Sequence, residues 1–200
     1  QMIAEKVDLL VIAPNQLNTI SPAINRAYDK GIPVIIYDRK ANSNKYTAFI
    51  GCDNYAIGKS MGEFIAQKLQ GKGRVVEIRG LEGSSPALER HRGFMEAMKK
   101  YPGMQVVASE AGDWKEESGK KAMRRILDKT RDFDYVFSHN DRMGWGAYQV
   151  VRDRGLARNY KFTGMDAMAT RNGGLELVRD GIFEASYLYP TKGDEVIALA

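Results

Sequence analysis

A run of four apolar residues, Val34-Ile35-Ile36-Tyr37, ends abruptly in two opposite charges, Asp38 and Arg39. Gly31 and Pro33 stand just before it, the first suited to ending a helix and the second unable to continue one. An unbroken, β-branched run bounded in this way is expected of a strand buried on both faces of a parallel sheet. Open α/β sheets bind ligands at the C-terminal ends of such strands, which makes Asp38 and Arg39 the first candidate site residues.

The rest of the chain alternates in the way that a parallel sheet requires. Strands are expected at Val7–Ala13, 33–37, 47–51, 74–79, 104–109, 135–138, 160–165 and 185–188. Helical stretches lie between them, at 21–30, from Asp53 or Asn54 to about Leu69, at 86–101, up to Lys129, from Asn140-Asp141 to Arg154, and around 173–180. Ser21 followed by Pro22 reads as an N-cap with proline at the first helical position. A last helix is expected near Thr191, and residues 1–6 read as the tail of a helix entering the first strand. This β-α-β order predicts a doubly wound parallel sheet. Several strands end in polar or aromatic residues: Asn15-Gln16, Asp38-Arg39, Asp53-Asn54, Trp114, His139-Asn140-Asp141, Asp166 and Tyr189. Parallel order puts such ends on one edge of their sheet, and Arg90, early in its helix, falls close to that edge.

Composition removes several classes of function. With 44% hydrophobic and 28% charged residues over 200 positions, the chain can build a core and is not a disordered segment. No apolar run approaches the ~20 residues of a membrane helix. The net charge of +5 is spread among acidic residues rather than gathered into a basic block with interleaved aromatics, which disfavours nucleic acid as a partner. The lone Cys52 rules out an internal disulfide and any cysteine-based zinc site. The chain starts Gln-Met-Ile without a signal-peptide pattern, so it reads as a fragment.

The strand-end residues suit a polyhydroxylated ligand. Carboxylates accept hydroxyl protons, a guanidinium donates in a planar fork, an asparagine amide does both, and an aromatic ring covers the apolar C–H face of a sugar. Asp38, Arg39, Arg90, Trp114, Asn140, Asp166 and Tyr189 supply that set. For Asp38, Asn140 and Asp166, ligand contact is rated above helix capping. For Asp53 and Asp141, capping is preferred. Enzyme motifs fail. DNYAIGKS lacks the first glycine of a phosphate-binding loop, and neither GxGxxG nor GxSxG occurs. His91, between Arg90 and Arg92, reads as an exposed helix residue. His139 neighbours the expected cleft and could act as a base, but no nucleophile is paired with it in sequence. No metal-ligand spacing is visible.

The segments KGIPVIIYDR, FIGCDNYAIGKSMGEFI, GSSPALERHRGF, YVFSHNDRMGWGAY and FTGMDA together resemble the type I periplasmic sugar-binding proteins of the ribose-binding kind. KYTAFIG, ERHRGF, HNDRM, GGLELV and ASYLYPTKGDEV resemble most the periplasmic sensor domains of bacterial hybrid two-component systems. The resemblance implies two doubly wound parallel-sheet lobes joined by a hinge. Residues 53–189 would form the C-terminal lobe, and 1–52 with 190–200 would form an N-terminal lobe lacking its first βα units. Cys52, Asp53, Tyr189 and Pro190 would be the hinge. Monosaccharide contacts would fall on Asp38, Arg39, Arg90, Trp114, Asn140 and Asp166, with Tyr189 standing where the family commonly has glutamine. The resemblance further implies no catalytic activity, no cofactor and a periplasmic location. Clamshell closure would act on a kinase in the same chain, on a dimer interface or on a permease. The solute-binding component of a sugar ABC transporter is the alternative. The effector domain of a transcriptional repressor and a hydrolase using His139 are more distant ones.

Overall fold

The computed structural model describes residues 2–200. Strands and helices alternate along it: β1 (Leu10–Ile12), α1 (Ser21–Asp29), β2 (Val34–Tyr37), β3 (Ala48–Ile50), α2 (Asn54–Lys68), β4 (Lys72–Arg79), α3 (Ser85–Lys99), β5 (Gly103–Ala111), α4 (Glu116–Lys129), β6 (Tyr135–Ser138), α5 (Asp141–Asp153), β7 (Lys161–Asp166), α6 (Gly174–Arg179), β8 (Ala185–Leu188) and α7 (Gly193–Leu199). The residues form two compact units. One contains the chain up to Asp53 together with Gly83–Pro86 and Pro190–Ala200. The other contains Asn54–Glu82 and Ala87–Tyr189.

In the first unit, β1, β2 and β3 pair in parallel in that order. Val34, Ile35 and Ile36 are 0–2% exposed, as their unbroken apolar run requires of a central strand. Leu10, Ile24, Ala27, Ile32, Val34 and Ile36 form the core of this unit. Two expectations are corrected at its start. Gln1 lies outside the described residues, and residues 2–6 form turns rather than a helix, with Lys6 left-handed at φ 52°. The cap of α1 is Ile20, not Ser21, because the Ser21 hydroxyl donates back to the Leu17 carbonyl at 2.7 Å and Pro22 lies one position further in.

The second unit is a five-stranded parallel sheet in the order β5-β4-β6-β7-β8. The chain steps from β4 outward to β5 and then crosses back to place β6 on the other side of β4. This reversal creates a topological switch point at the C-terminal ends of β4 and β6. Alternate residues of β4 enter opposite faces. Val76 and Ile78 pack with α4 and α5 residues such as Met123, Ile126, Ala147 and Val151. Val75 packs with α2 and α3 residues such as Met61, Ile65, Phe94 and Ala97. Helices α2 and α3 cross very closely: a Cβ on Gly58 would overlap the Arg90 carbonyl, and one on Gly93 would overlap the Tyr55 carbonyl. This tight crossing fixes where the first turns of α3, and therefore Arg90, stand over the sheet edge.

Candidate functional site

In the first unit, Asp38 directly follows β2 in a left-handed conformation, φ 63°, and its N–H donates to the Ile50 carbonyl at 2.9 Å. The turn brings its carboxylate to 3.5 Å from Arg39 Nε. Arg39 Nη1 donates to Asn15 Oδ1 at 3.0 Å, so residues that follow two neighbouring strands meet. Asp38 and Arg39 are each about a quarter exposed, at 26% and 25% of the side chain. Cys52 donates its thiol to the Pro190 carbonyl at 3.1 Å, tying together two of the segments expected to act as a hinge.

In the second unit the candidates converge on Arg90. The residue is buried, at 3% exposure. Nε donates to Asn54 Oδ1 at 2.9 Å, and Nη1 donates to the His139 carbonyl. The guanidinium carbon lies 4.8 Å from the centre of the Tyr189 ring and 5.5 Å from that of Trp114. Asn140 Nδ2 donates to the Trp114 carbonyl at 3.0 Å. The Tyr189 N–H approaches the Asp166 carbonyl at 3.5 Å. Trp114 and Asp166 share with Asp38 a positive φ, at 63° and 108°, a conformation that costs a non-glycine residue energy and gathers at ligand sites. The Trp114 indole rests directly on Gly80, where any side chain would overlap it.

Three readings of single residues change. Asn140 is the N-cap of α5, its Oδ1 accepting from the Met143 N–H at 2.9 Å, so capping and the Trp114 bond engage both ends of its amide. Asp141 does not cap. It is 0% exposed and reaches across to the segment after β7, accepting from the N–H groups of Met168 at 3.2 Å and Gly174 at 3.0 Å and from the Ser186 hydroxyl at 2.6 Å. His91 is not simply exposed: its Nδ1 lies 2.8 Å from a carboxylate oxygen of Glu77.

Glu77 is the residue that sequence reasoning passed over. It lies in the middle of β4, completely buried, with His139 Nε2 at 2.9 Å and the Ser109 hydroxyl at 2.6 Å. An acidic residue inside the apolar run Val-Val-Glu-Ile was the available signal. Burial pushes its carboxyl up, but hydrogen bonds from His139, His91 and Ser109 outweigh that and hold it well below the ordinary carboxylate range.

The same carboxylate sends its two histidines in opposite directions. Hydrogen bonding to Glu77 raises half-exposed His91 above 6.5, whereas burial pulls His139 below 6.5 despite Glu77. In an NMR titration, His91 is therefore expected to gain its proton above pH 6.5, and His139 only below it. The linkage signs are also opposite. The His91 contribution is complete below about pH 6.5 and fades as pH rises through its folded value, while His139 weakens the fold as pH falls below about 6.5. Coincident titration of the two rings at one pH would contradict this geometry.

Comparison with known proteins follows the same lines. The periplasmic binding protein domain family matches residues 1–198. The chain belongs to that family. Its sequence is 32% identical over 161 residues to the galactofuranose-binding protein of Escherichia coli K12, covering 77% of this chain and 51% of that protein. It is 33% identical over 154 residues to the ribose import binding protein of Bacillus subtilis 168, covering 77% and 50%. The chain thus spans about half the length of the curated relatives it matches. Among solved structures, the fructose-binding periplasmic domain of a hybrid two-component system superposes with a TM-score of 0.96 at 44% identity, covering 99% of this chain and 66% of that one. The periplasmic component of the arabinose ABC transporter of Shewanella sp. ANA-3, bound to L-arabinofuranose, superposes with a TM-score of 0.90 at 27% identity, covering 98% and 67%. The α/β fold of parallel sheets and the ribose-binding-like type are therefore as the sequence motifs implied, and the family is a periplasmic one.

Proposed function

We propose that this chain is the ligand-binding part of a periplasmic monosaccharide receptor, and that the receptor is the sensor of a hybrid two-component system. The observation that carries the reading is the guanidinium of buried Arg90 beside the Trp114 and Tyr189 rings. A planar donor next to aromatic faces suits a sugar, which presents hydroxyl acceptors at its edge and C–H groups on its face. Asp166 and Asn140 add carboxylate and amide groups in the same unit, and Asp38 and Arg39 form the corresponding set in the other. The relatives named above bind furanoses, ribose and fructose, which supports a five- or six-carbon monosaccharide as ligand. Reversible binding with hinge closure about Cys52, Asp53, Tyr189 and Pro190 is the mechanism, the ligand favouring the closed state by its differential affinity.

The 44% identity to a sensor domain, against 27% to a transporter component, favours the sensor over the transport reading. Sequence beyond residue 200 decides between them: a membrane helix and kinase for a sensor, a free C-terminus for a component that docks on a permease. The hydrolase reading loses its base, because His139 is buried with both ring nitrogens engaged, Nε2 on Glu77 and Nδ1 on the Gly80 N–H at 3.3 Å. Calorimetric titration of the intact protein with D-fructose, D-ribose and L-arabinose is expected to give saturable one-to-one binding to at least one of them at roughly micromolar Kd. No binding across this panel would overturn the sugar reading.

A further inference from the structure

Glu77 is an expensive residue to keep. A carboxylate buried in the middle of a sheet strand carries a desolvation penalty, and an apolar side chain of similar size would pack there without it. Its partners are specific. It faces His139 from the end of β6, Ser109 from β5 and His91 from α3, with the Arg79 charge acting on His91 and the Arg90 charge on His139. The His139 ring has only one arrangement that satisfies both of its nitrogens. The Gly80 N–H can only donate, so Nδ1 must accept and the proton must sit on Nε2, where it donates to Glu77. The backbone of His139 is held as well, its N–H donating to the Ile78 carbonyl at 2.9 Å.

Two candidate ligand groups rest on this fixed histidine. The His139 carbonyl accepts from Arg90 Nη1. Gly80, whose N–H the ring holds, is the surface on which the Trp114 indole lies. We propose that Glu77 is a positioning residue for the binding site, which fixes His139 in one tautomer and orientation and through it sets the places of the Arg90 guanidinium and the Trp114 ring. The inference rests on the monosaccharide reading for its ligand but not for its geometry. It explains why a long polar side chain, rather than an apolar one, is buried at the topological switch point of the sheet: its oxygens give β4, β5, β6 and α3 a single mutual arrangement at the edge where the site lies.

The test separates reach from charge. Glu77→Gln keeps the length of the side chain and an oxygen for His139 but removes the charge. Glu77→Asp keeps the charge but withdraws the oxygens by one methylene. In the intact protein, Glu77→Gln is expected to hold D-fructose affinity within about threefold of wild type, and Glu77→Asp to weaken it by about tenfold or more. The reverse order would mean that the charge acts through its field, and equal, wild-type-like affinities would mean that the residue is idle. Either result overturns the proposal. A second readout needs no sugar. By 15N NMR, the His139 ring should be the Nε2–H tautomer in wild type and Glu77→Gln, and the Arg90 Nε–H resonance should move only in Glu77→Asp. An Nδ1–H tautomer in the wild-type protein overturns the proposal even if Glu77→Asp does not fold. If D-fructose does not bind the wild type, D-ribose and L-arabinose replace it. Failure of all three removes the sugar reading, and the two NMR signals still decide the role of Glu77.

Discussion

The Arg90→Met variant of the intact protein is expected to bind monosaccharide about 100-fold or more weakly than wild type, the loss typical when one partner of a buried, hydrogen-bonded charged group is removed. Methionine fills much of the same space, so the Trp114 and Tyr189 rings keep a neighbour. What disappears is the planar set of donors, and with it the bonds to Asn54 Oδ1 and the His139 carbonyl. Arg90→Lys should fare little better. A single ammonium cannot reproduce the two directions in which Nε and Nη1 donate, nor offer Tyr189 and Trp114 a delocalised planar cation. Calorimetry measures the affinity, and thermal unfolding shows that the fold persists. Affinity within about threefold of wild type in both variants would remove Arg90 from the site.

Asp141→Ala should have the largest effect on stability. The carboxylate is buried, and burial raises its pKa even though the Ser186 hydroxyl and the N–H groups of Met168 and Gly174 work against the shift. Removing it leaves those buried donors without an acceptor, at a combined cost of about 3 kcal/mol. For a protein of this size that corresponds to a fall in Tm on the order of 10 °C. The damage should be local first. Ala167 is left-handed at φ 48°, Asp166 is at φ 108°, and the Ser186 hydroxyl that Asp141 anchors also accepts from the Ala167 N–H at 3.0 Å. Amide hydrogen exchange across residues 166–174 should therefore rise before global unfolding, and sugar affinity should fall with it. Asp141→Asn should recover much of the loss, because the Met168 and Gly174 N–H groups share one carboxylate oxygen, which the amide oxygen can replace, while the amide NH2 can donate to the Ser186 hydroxyl oxygen. A Tm of Asp141→Ala within about 2 °C of wild type would show that other contacts hold this loop.

The elements were legible because their signals are local. Tyr135–Ser138 and Ala185–Leu188 are strands over the residues their apolar runs marked, and β2 falls on the four-residue run that Gly31 and Pro33 introduce. Ends were less legible. The first strand was expected over Val7–Ala13 and is Leu10–Ile12, and the fifth extends to Ala111 rather than stopping at Ser109. Hydrophobicity marks where a strand is buried, whereas hydrogen bonding to a neighbour decides how far it runs.

The sequence by itself determined the layered α/β architecture of parallel strands and helices and the family, and it marked Asp38, Arg39, Arg90, Trp114, Asn140, Asp166 and Tyr189 as candidate ligand residues. These follow from residue spacing, from side-chain periodicity and from motifs read along the chain. The tertiary structure decided which partners the polar groups near the strand ends meet. Asn140 and Asp141 are adjacent in sequence, yet one caps its own helix and the other clamps a loop more than 25 residues away. Glu77 sits in an apolar run, yet it meets histidines 14 and 62 residues further along. A hydrogen bond depends on distance and direction between groups that only the strand order β5-β4-β6-β7-β8 brings together, and that order is set by packing across the whole sheet rather than by any local stretch of sequence.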